Sequence, residues 1–242
     1  MAASGSFHPA WSDAIARGQL SEAKHVHMDQ SGEHLGTVWN QPYGETDVLA
    51  LLREGGGTFG RQPFGDQALF HVSTDGFLLV LHRRVSEGSD SSAVRITKIT
   101  MAGDTVFSKK IPYMPEPLPR SKVDSAVHAQ AERMHQFMQR MDPELSLGKL
   151  EADIGEATYS PDYLPAIRNM TVAEDGTIWL ERFTPTEEGI QWWILDGQGE
   201  PLATVSTPEG LRVLLITQDA VWGVETDEFD VNYIVRYGLD RS

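Results

Sequence analysis

Two hairpin patterns alternate along this chain, and internal repetition of this kind constrains the fold more than any other sequence feature. The first pattern is an apolar segment, a tight turn and a second apolar segment. It runs from His71 to Val80 around Asp75-Gly76, and again from Thr171 to Leu180 around Asp175-Gly176. A looser copy runs from Leu215 to Val224, with Asp219-Ala220 at the turn. Asp-Gly between alternating apolar residues signals a hairpin, because glycine supplies the positive φ the turn needs. Ala220 does not supply it, so the third turn is expected to use another geometry. The second pattern is an apolar strand, four residues ending in glycine, and an apolar residue three places on. It appears at Val26–Leu35 with Gly32, at Ile96–Val106 with Gly103, and at Trp193–Leu202 with Gly199.

Within Ala68–Ile111, and again within Ile167–Val205, the first hairpin is followed by the second. Two consecutive hairpins make a four-stranded antiparallel meander of about 40–45 residues, the length of one β-propeller blade. Leu211–Tyr237 offers three strands, Leu211–Thr217, Val221–Glu225 and Val231–Tyr237. In a closed propeller the fourth comes from the other end of the chain and removes the exposed edges. Lys24–Asn40 shows only the second hairpin. The fold class expected is therefore all-β: a partial β-propeller of three to four four-stranded antiparallel blades with one helical insert. It is read as a single propeller-like domain over residues 1–242, with first blades in 20–113, the helical insert and connection in 114–164, and the last two blades in 165–240.

The insert breaks the meander. Val123, Val127, Ala131, Met134, Met138 and Met141 form one helical stripe within Arg120–Met141, with Phe137 beside it. Ser121 is positioned to cap the start, with Asp124 in the first turn, after a Pro-rich run, Met114–Pro119, that cannot be helix interior. The stripe is read as packing on its own domain. Gly148–Pro165 reads as an irregular connection back to the sheet.

The bulk properties exclude several functions. The 242 residues carry a formal net charge of −15 and no cysteine. Such a surface repels phosphate backbones and anionic membranes, so no nucleic-acid partner is expected. Disulfides, thiolate metal sites and a cysteine nucleophile are excluded. No window approaches the ~18 uninterrupted apolar residues of a membrane helix. Met1–Gly5 lacks the basic and apolar regions of a signal peptide, so the chain as written reads as cytoplasmic. If an N-terminal part is missing, a periplasmic or exported protein is expected instead.

Tyr163–Arg182, Val221–Asp227 and Tyr233–Tyr237 resemble bacterial six-bladed β-propeller proteins of the TolB-like and NHL-like groups. The Arg61-Gln-Pro-Phe64 approach to a strand and the helical insert before Tyr163 are similar to that family too. The resemblance covers residues 20–240 and fits the family's C-terminal part. It implies a propeller fold and a family of mostly uncharacterised, often exported or lipid-anchored proteins. It does not fix an activity. Six blades need about 250–300 residues, and this chain supplies three to four, so the ring is expected to close through missing sequence or a second copy.

The candidate chemistry is sparse. His25 and His27 share one strand face and His34 lies on the next strand, but no metal-ligand spacing accompanies them, and no metal is expected. Glu225, Asp227, Glu228 and Asp230 form an acidic cluster without the calcium-loop pattern, read as a solvated loop. No Gly-x-Ser-x-Gly elbow occurs. The glycine-rich Arg53–Arg61 lacks the ending of a phosphate loop and reads as a turn or bulge, so no cofactor is expected. Trp179, Trp192, Trp193 and Trp222 fall in strands, where aromatics fill the space between sheets.

The preferred function is non-enzymatic binding of a ligand or protein. The alternative is a propeller enzyme, such as a lactonase-like hydrolase, with its site at the central channel. A third reading is a truncated remnant. Any ligand site is expected on the face carrying the loops between second and third strands, where Arg83, Arg168, Arg182, Glu225 and Asp227 lie at or near strand ends. Self-association that closes the ring is expected as well.

Overall fold

A computed structural model describes residues 22–28, 31–42, 46–53, 56–73, 75–83, 93–139, 144–183 and 189–239. Over these residues the protein is mostly β, arranged as several small antiparallel sheets, none of them closed on itself. The strands are β1 (Glu22–Met28), β2 (His34–Pro42), β3 (Val48–Arg53), β4 (Gly56–Arg61), β5 (Leu69–Val72), β6 (Phe77–His82), β7 (Ala93–Thr100) and β8 (Thr105–Pro112). Two helices follow, α1 (Arg120–Met138) and α2 (Leu147–Ala157). Then come β9 (Ile167–Val172), β10 (Ile178–Arg182), β11 (Ile190–Leu195), β12 (Pro201–Thr207), β13 (Arg212–Ile216), β14 (Ala220–Thr226) and β15 (Asn232–Gly238).

The chain divides into two compact units. The division passes through the β1–β2 hairpin. One unit contains residues 39–67 and 115–164, that is, the β3–β4 hairpin with both helices. The other contains residues 26–38, 68–114 and 165–242, with the sheets β5-β6-β7-β8, β12-β11-β10-β9 and β13-β14-β15.

Among the described residues of the sheet-rich unit one turn geometry recurs five times. The first residue of the turn donates its N–H to the carbonyl four residues on: Ser73 to Phe77, Thr100 to Asp104, Ala173 to Thr177, Asp196 to Glu200 and Asp227 to Val231, at 2.8–3.0 Å. The residue before that acceptor is left-handed: Gly76, Gly103, Gly176, Gly199 and, at φ 60°, Asp230. This is the three-residue hairpin loop, a type I turn closed by one residue of positive φ. The opening side chain reinforces it wherever it can accept. Thr100 Oγ1 receives the N–H of Ala102 and Asp104, and Asp196 Oδ1 those of Gln198 and Glu200. The hairpin at Asp219-Ala220 is different, as its sequence requires. Thr217 donates to the Ala220 carbonyl at 2.8 Å across a two-residue loop, with no left-handed residue.

The sheets bury opposite faces in two cores. In β10, Ile178 and Leu180 point to one side and meet Ile167, Met170 and Leu195 of their own sheet and Leu79, Leu81, Val94 and Ile96 of β6 and β7. Trp179 points to the other side, with Trp192 and Ile194, and meets Leu211, Ile216 and Val221. The two indoles stack edge to face at 6.2 Å and 64°. Each indole N–H is satisfied, Trp179 by Thr177 Oγ1 at 3.0 Å and Trp192 by Thr207 Oγ1 at 3.1 Å. Gly199 fits closely against the neighbouring sheet, where an added Cβ would lie 2.8 Å from the Phe107 ring.

In the other unit the helices correct three expectations. Ser121 does not cap α1: the N-cap is Pro119, with no side-chain bond, because proline at that place already sets the extended entry. Asp124 lies beyond the first turn and pairs with Arg120 at 3.1 Å. The buried stripe is Val123, Val127 and Ala131, Phe137 is exposed, and Met141 lies outside the described residues. The expected irregular connection contains α2. Ser146 caps it by accepting from Lys149 N, and it buries Leu150 and Ile154. The glycine-rich segment is likewise a strand rather than a turn: β4 pairs in register with β3, and residues 54–55 between them lie outside the described set. Gln62 is buried and joins this hairpin to α2, donating to the Ala157 carbonyl at 2.8 Å and accepting from Tyr159 N at 2.9 Å.

Two substitutions test this account. Trp179→Ala removes a ring that is 2% exposed, and the expected cost in a denaturant titration is about 3–5 kcal/mol. A cost under about 1 kcal/mol would mean the ring is not core. Asp230→Gly removes left-handed strain worth about 1–2 kcal/mol for an L-residue, less for Asp, against about 0.5–1 kcal/mol of glycine entropy. The expected result is equal or higher stability. A loss above about 1 kcal/mol would show that the Asp230 side chain itself holds the turn.

Candidate functional site

The residues singled out from sequence fall into two groups, both at the end of their sheets away from the Asp75, Asp175 and Asp219 turns. Arg83 follows β6 and Arg182 ends β10, so they occupy matching places. Arg83 is 4% exposed and donates through Nη2 to the Arg168 carbonyl at 3.2 Å. Arg168, on β9, places Nη1 3.5 Å from Glu181 Oε1 on β10, the strand it pairs with. Arg182 donates to Gln191 Oε1 and lies over the Trp193 ring, 4.8 Å from its centroid. The structure thus ties Arg83 to the Arg168 backbone and sets the Arg168 side chain beside Glu181, a residue that strand pattern alone does not single out. Burial pushes the Glu181 carboxyl above its ordinary value of 4.5, against the opposing pull of Arg168 and an Asn169 hydrogen bond.

Glu225 and Asp227 make their contacts within the β14–β15 hairpin. Asp227 Oδ1 receives the N–H of Phe229 and Val231, both at 2.9 Å, and Oδ2 receives the Tyr233 hydroxyl at 3.0 Å. These bonds, the Val231 N–H first, hold its pKa below the ordinary 3.8. Asp227 therefore stands where Thr100 and Asp196 stand in their turns. Glu225 accepts from Tyr237 Oη at 2.5 Å, which raises the phenol pKa. Among the described residues no group of three or more His, Cys, Asp or Glu side chains could hold a metal ion. His25 instead lies 5.1 Å from the Trp39 ring.

A cleft of about 300 Å³ opens at the opposite end of the sheets, between the β5–β6, β9–β10 and β11–β12 turns. Leu79, Ala173 and Ile178, all buried, line its apolar side. Its rim carries Asp75, Glu174 and Asp175 against Lys98, three carboxylates and one ammonium, leaving two net negative charges. Lys98 pairs with Asp75 at 3.3 Å and lies 4.2 Å over the Phe77 ring. The hydroxyl of Ser73, and then Lys98, hold the Asp75 carboxyl below its ordinary value. Glu174 is fixed by its backbone, whose N–H donates to the Ile216 carbonyl at 2.9 Å, leaving its side chain in solvent. In the sequence Asp75 and Asp175 register only as turn residues. Their recurrence one hundred positions apart at matching turns is the signal that could have placed them side by side.

The raised Glu181 pKa sets a pH dependence of defined sign. The native state holds this proton more tightly than the unfolded chain, so stability falls as pH rises from 4.5 through the native pKa. Urea titrations across that range should show the decline in the wild type and not in Glu181→Gln. Identical pH profiles would mean that the carboxyl is solvated. No protein-family model matches the chain, and no curated protein matches it.

Proposed function

We propose that this protein is a non-enzymatic binding module of β-propeller type, and that the cleft at its Asp-Gly turns receives a cationic group on an apolar stem. The propeller reading rests on consecutive four-stranded meanders with one turn geometry, stacked face to face, in line with the resemblance to TolB-like and NHL-like proteins. The binding reading is carried by one observation: a cleft of about 300 Å³ with an apolar floor and an acidic rim. Its volume lies at the lower end of the range for small-molecule pockets. A lysine or arginine side chain of a peptide, or an alkylamine, fits both features, with its methylenes against Val172 and its charge beside Glu174 and Asp175. The net charge of −15 favours such a partner over any anion.

A second reading has an observation of its own. Glu181 is a buried carboxyl with a raised pKa beside Arg168, the arrangement a general acid or base requires. It supports a hydrolase at the arginine end.

Titration of the protein with a lysine-rich peptide and with butylamine, followed by amide chemical shifts, separates the two. Shifts at residues 73–79, 172–178 and 197–198 are expected, with affinity falling as salt rises. Glu174→Gln should weaken binding about two- to five-fold, the worth of one exposed charge pair. Shifts confined to the surroundings of Arg83, Arg168 and Arg182 would overturn the cleft reading. Hydrolysis of lactone or ester substrates that is lost in Glu181→Gln would establish the second.

A further inference from the structure

We infer that β15 is a pairing edge and that its occupant is β15 of a second copy of this chain, the two strands running antiparallel across a two-fold axis. The sheet-rich unit holds three sheets of three or more described strands. Among the described residues two have four strands and end in β8 and β12, and the third has three and ends in β15. An outer strand presents unpaired N–H and C=O groups, and stable proteins blunt such edges with lysine, proline or bulges. β8 carries Lys109, Lys110 and Pro112, and its register shifts at Lys98/Ile99. β12 begins with Pro201, and its register shifts at Ile194/Leu195. β15 has no lysine, no proline and no register shift. Its seven residues, Asn-Tyr-Ile-Val-Arg-Tyr-Gly, pair with β14 without a shift from Gly238 to Asn232. They contain one charge, Arg236, whose Nη2 lies 2.6 Å from Asp219 on the neighbouring hairpin.

Large apolar and aromatic side chains of this strand are solvated. Ile234 is 76% exposed and Tyr233 52%, with Leu214 and Leu215 of β13 at 54% and 45% in the same sheet. An edge that is regular, aromatic and β-branched favours another strand over water.

A second copy fits because the strand is complementary to itself. With Val235 at the two-fold, Tyr233 faces Tyr237 and Ile234 faces Arg236 of the other copy. Aromatic pairs then meet, and no charge opposes its like. The contact is isologous and closes at two copies, joining two three-stranded sheets into one of six. It is independent of the cleft, which lies at the turns of the other two sheets.

The test uses the full chain. Sedimentation equilibrium should give twice the 26.8 kDa monomer mass, and hydrogen exchange at 232–238 should slow as concentration rises. Ile234→Lys sets an ammonium opposite Arg236 of the second copy and should weaken the dimer roughly tenfold or more. Ile234→Glu removes the same apolar surface but faces Arg236 with a carboxylate, and should keep the dimer. Both substitutions fall on an exposed side chain, so matching far-UV spectra should show that the monomer still folds. A wild-type monomer at high concentration, equal weakening in both variants, or a size distribution running beyond two copies would each overturn the inference.

Discussion

The sheet-rich unit depends on β10 being buried on both faces. Ile178 and Leu180 belong to one core and Trp179 to the other. A strand with one wet face alternates apolar and polar residues; one covered on both sides reads as a continuous apolar run. Ile-Trp-Leu has that character, and its sheet can be stable only with a second sheet on each side. Other features of this unit serve that requirement. The turns are tight, so the strands stay in register. Gly199 has no side chain, so its turn can lie against Phe107. The two tryptophans bring polar N–H groups into the core only because Thr177 and Thr207 stand ready to accept them.

Much of this was legible in the sequence, and for identifiable reasons. Gly76, Gly103, Gly176 and Gly199 mark left-handed backbone that few other residues adopt, so both patterns and their strands could be located to within a few positions. The fifth turn was hidden because Asp230 occupies the place of glycine. Helix α2 was hidden by Gly148 and Gly155, which lower helix propensity, although Ser146 as cap and Leu147, Leu150 and Ile154 at helical spacing were there to be read. Strand β4 was hidden by its glycines for the same reason.

The candidate site was less legible. Arginines at strand ends can be seen in the sequence, but a contact such as Arg83 with the Arg168 carbonyl joins residues from separate sheets and leaves no local trace. The same holds for Glu181, whose altered acidity comes from burial by neighbours distant in sequence. Asp227 shows the converse. A carboxylate in an acidic cluster suggests ligation, yet its oxygens hold the turn and the Tyr233 hydroxyl. A turn-opening position is the better reading of such an aspartate when equivalent turns carry Thr100 and Asp196.

The sheets are also contiguous in sequence: β5–β8 spans Leu69–Pro112 and β9–β12 spans Ile167–Thr207. Each strand pairs with the next one along the chain, so the contacts that build a sheet have low contact order and close only short loops. During synthesis one whole sheet leaves the ribosome before the next begins, and N-terminal segments fold first. The first sheet then offers its Leu79, Leu81 and Ile96 face as the template on which the second condenses. The order of translation thus favours the same order of assembly, with β13-β14-β15 joining after the two sheets that precede it in sequence.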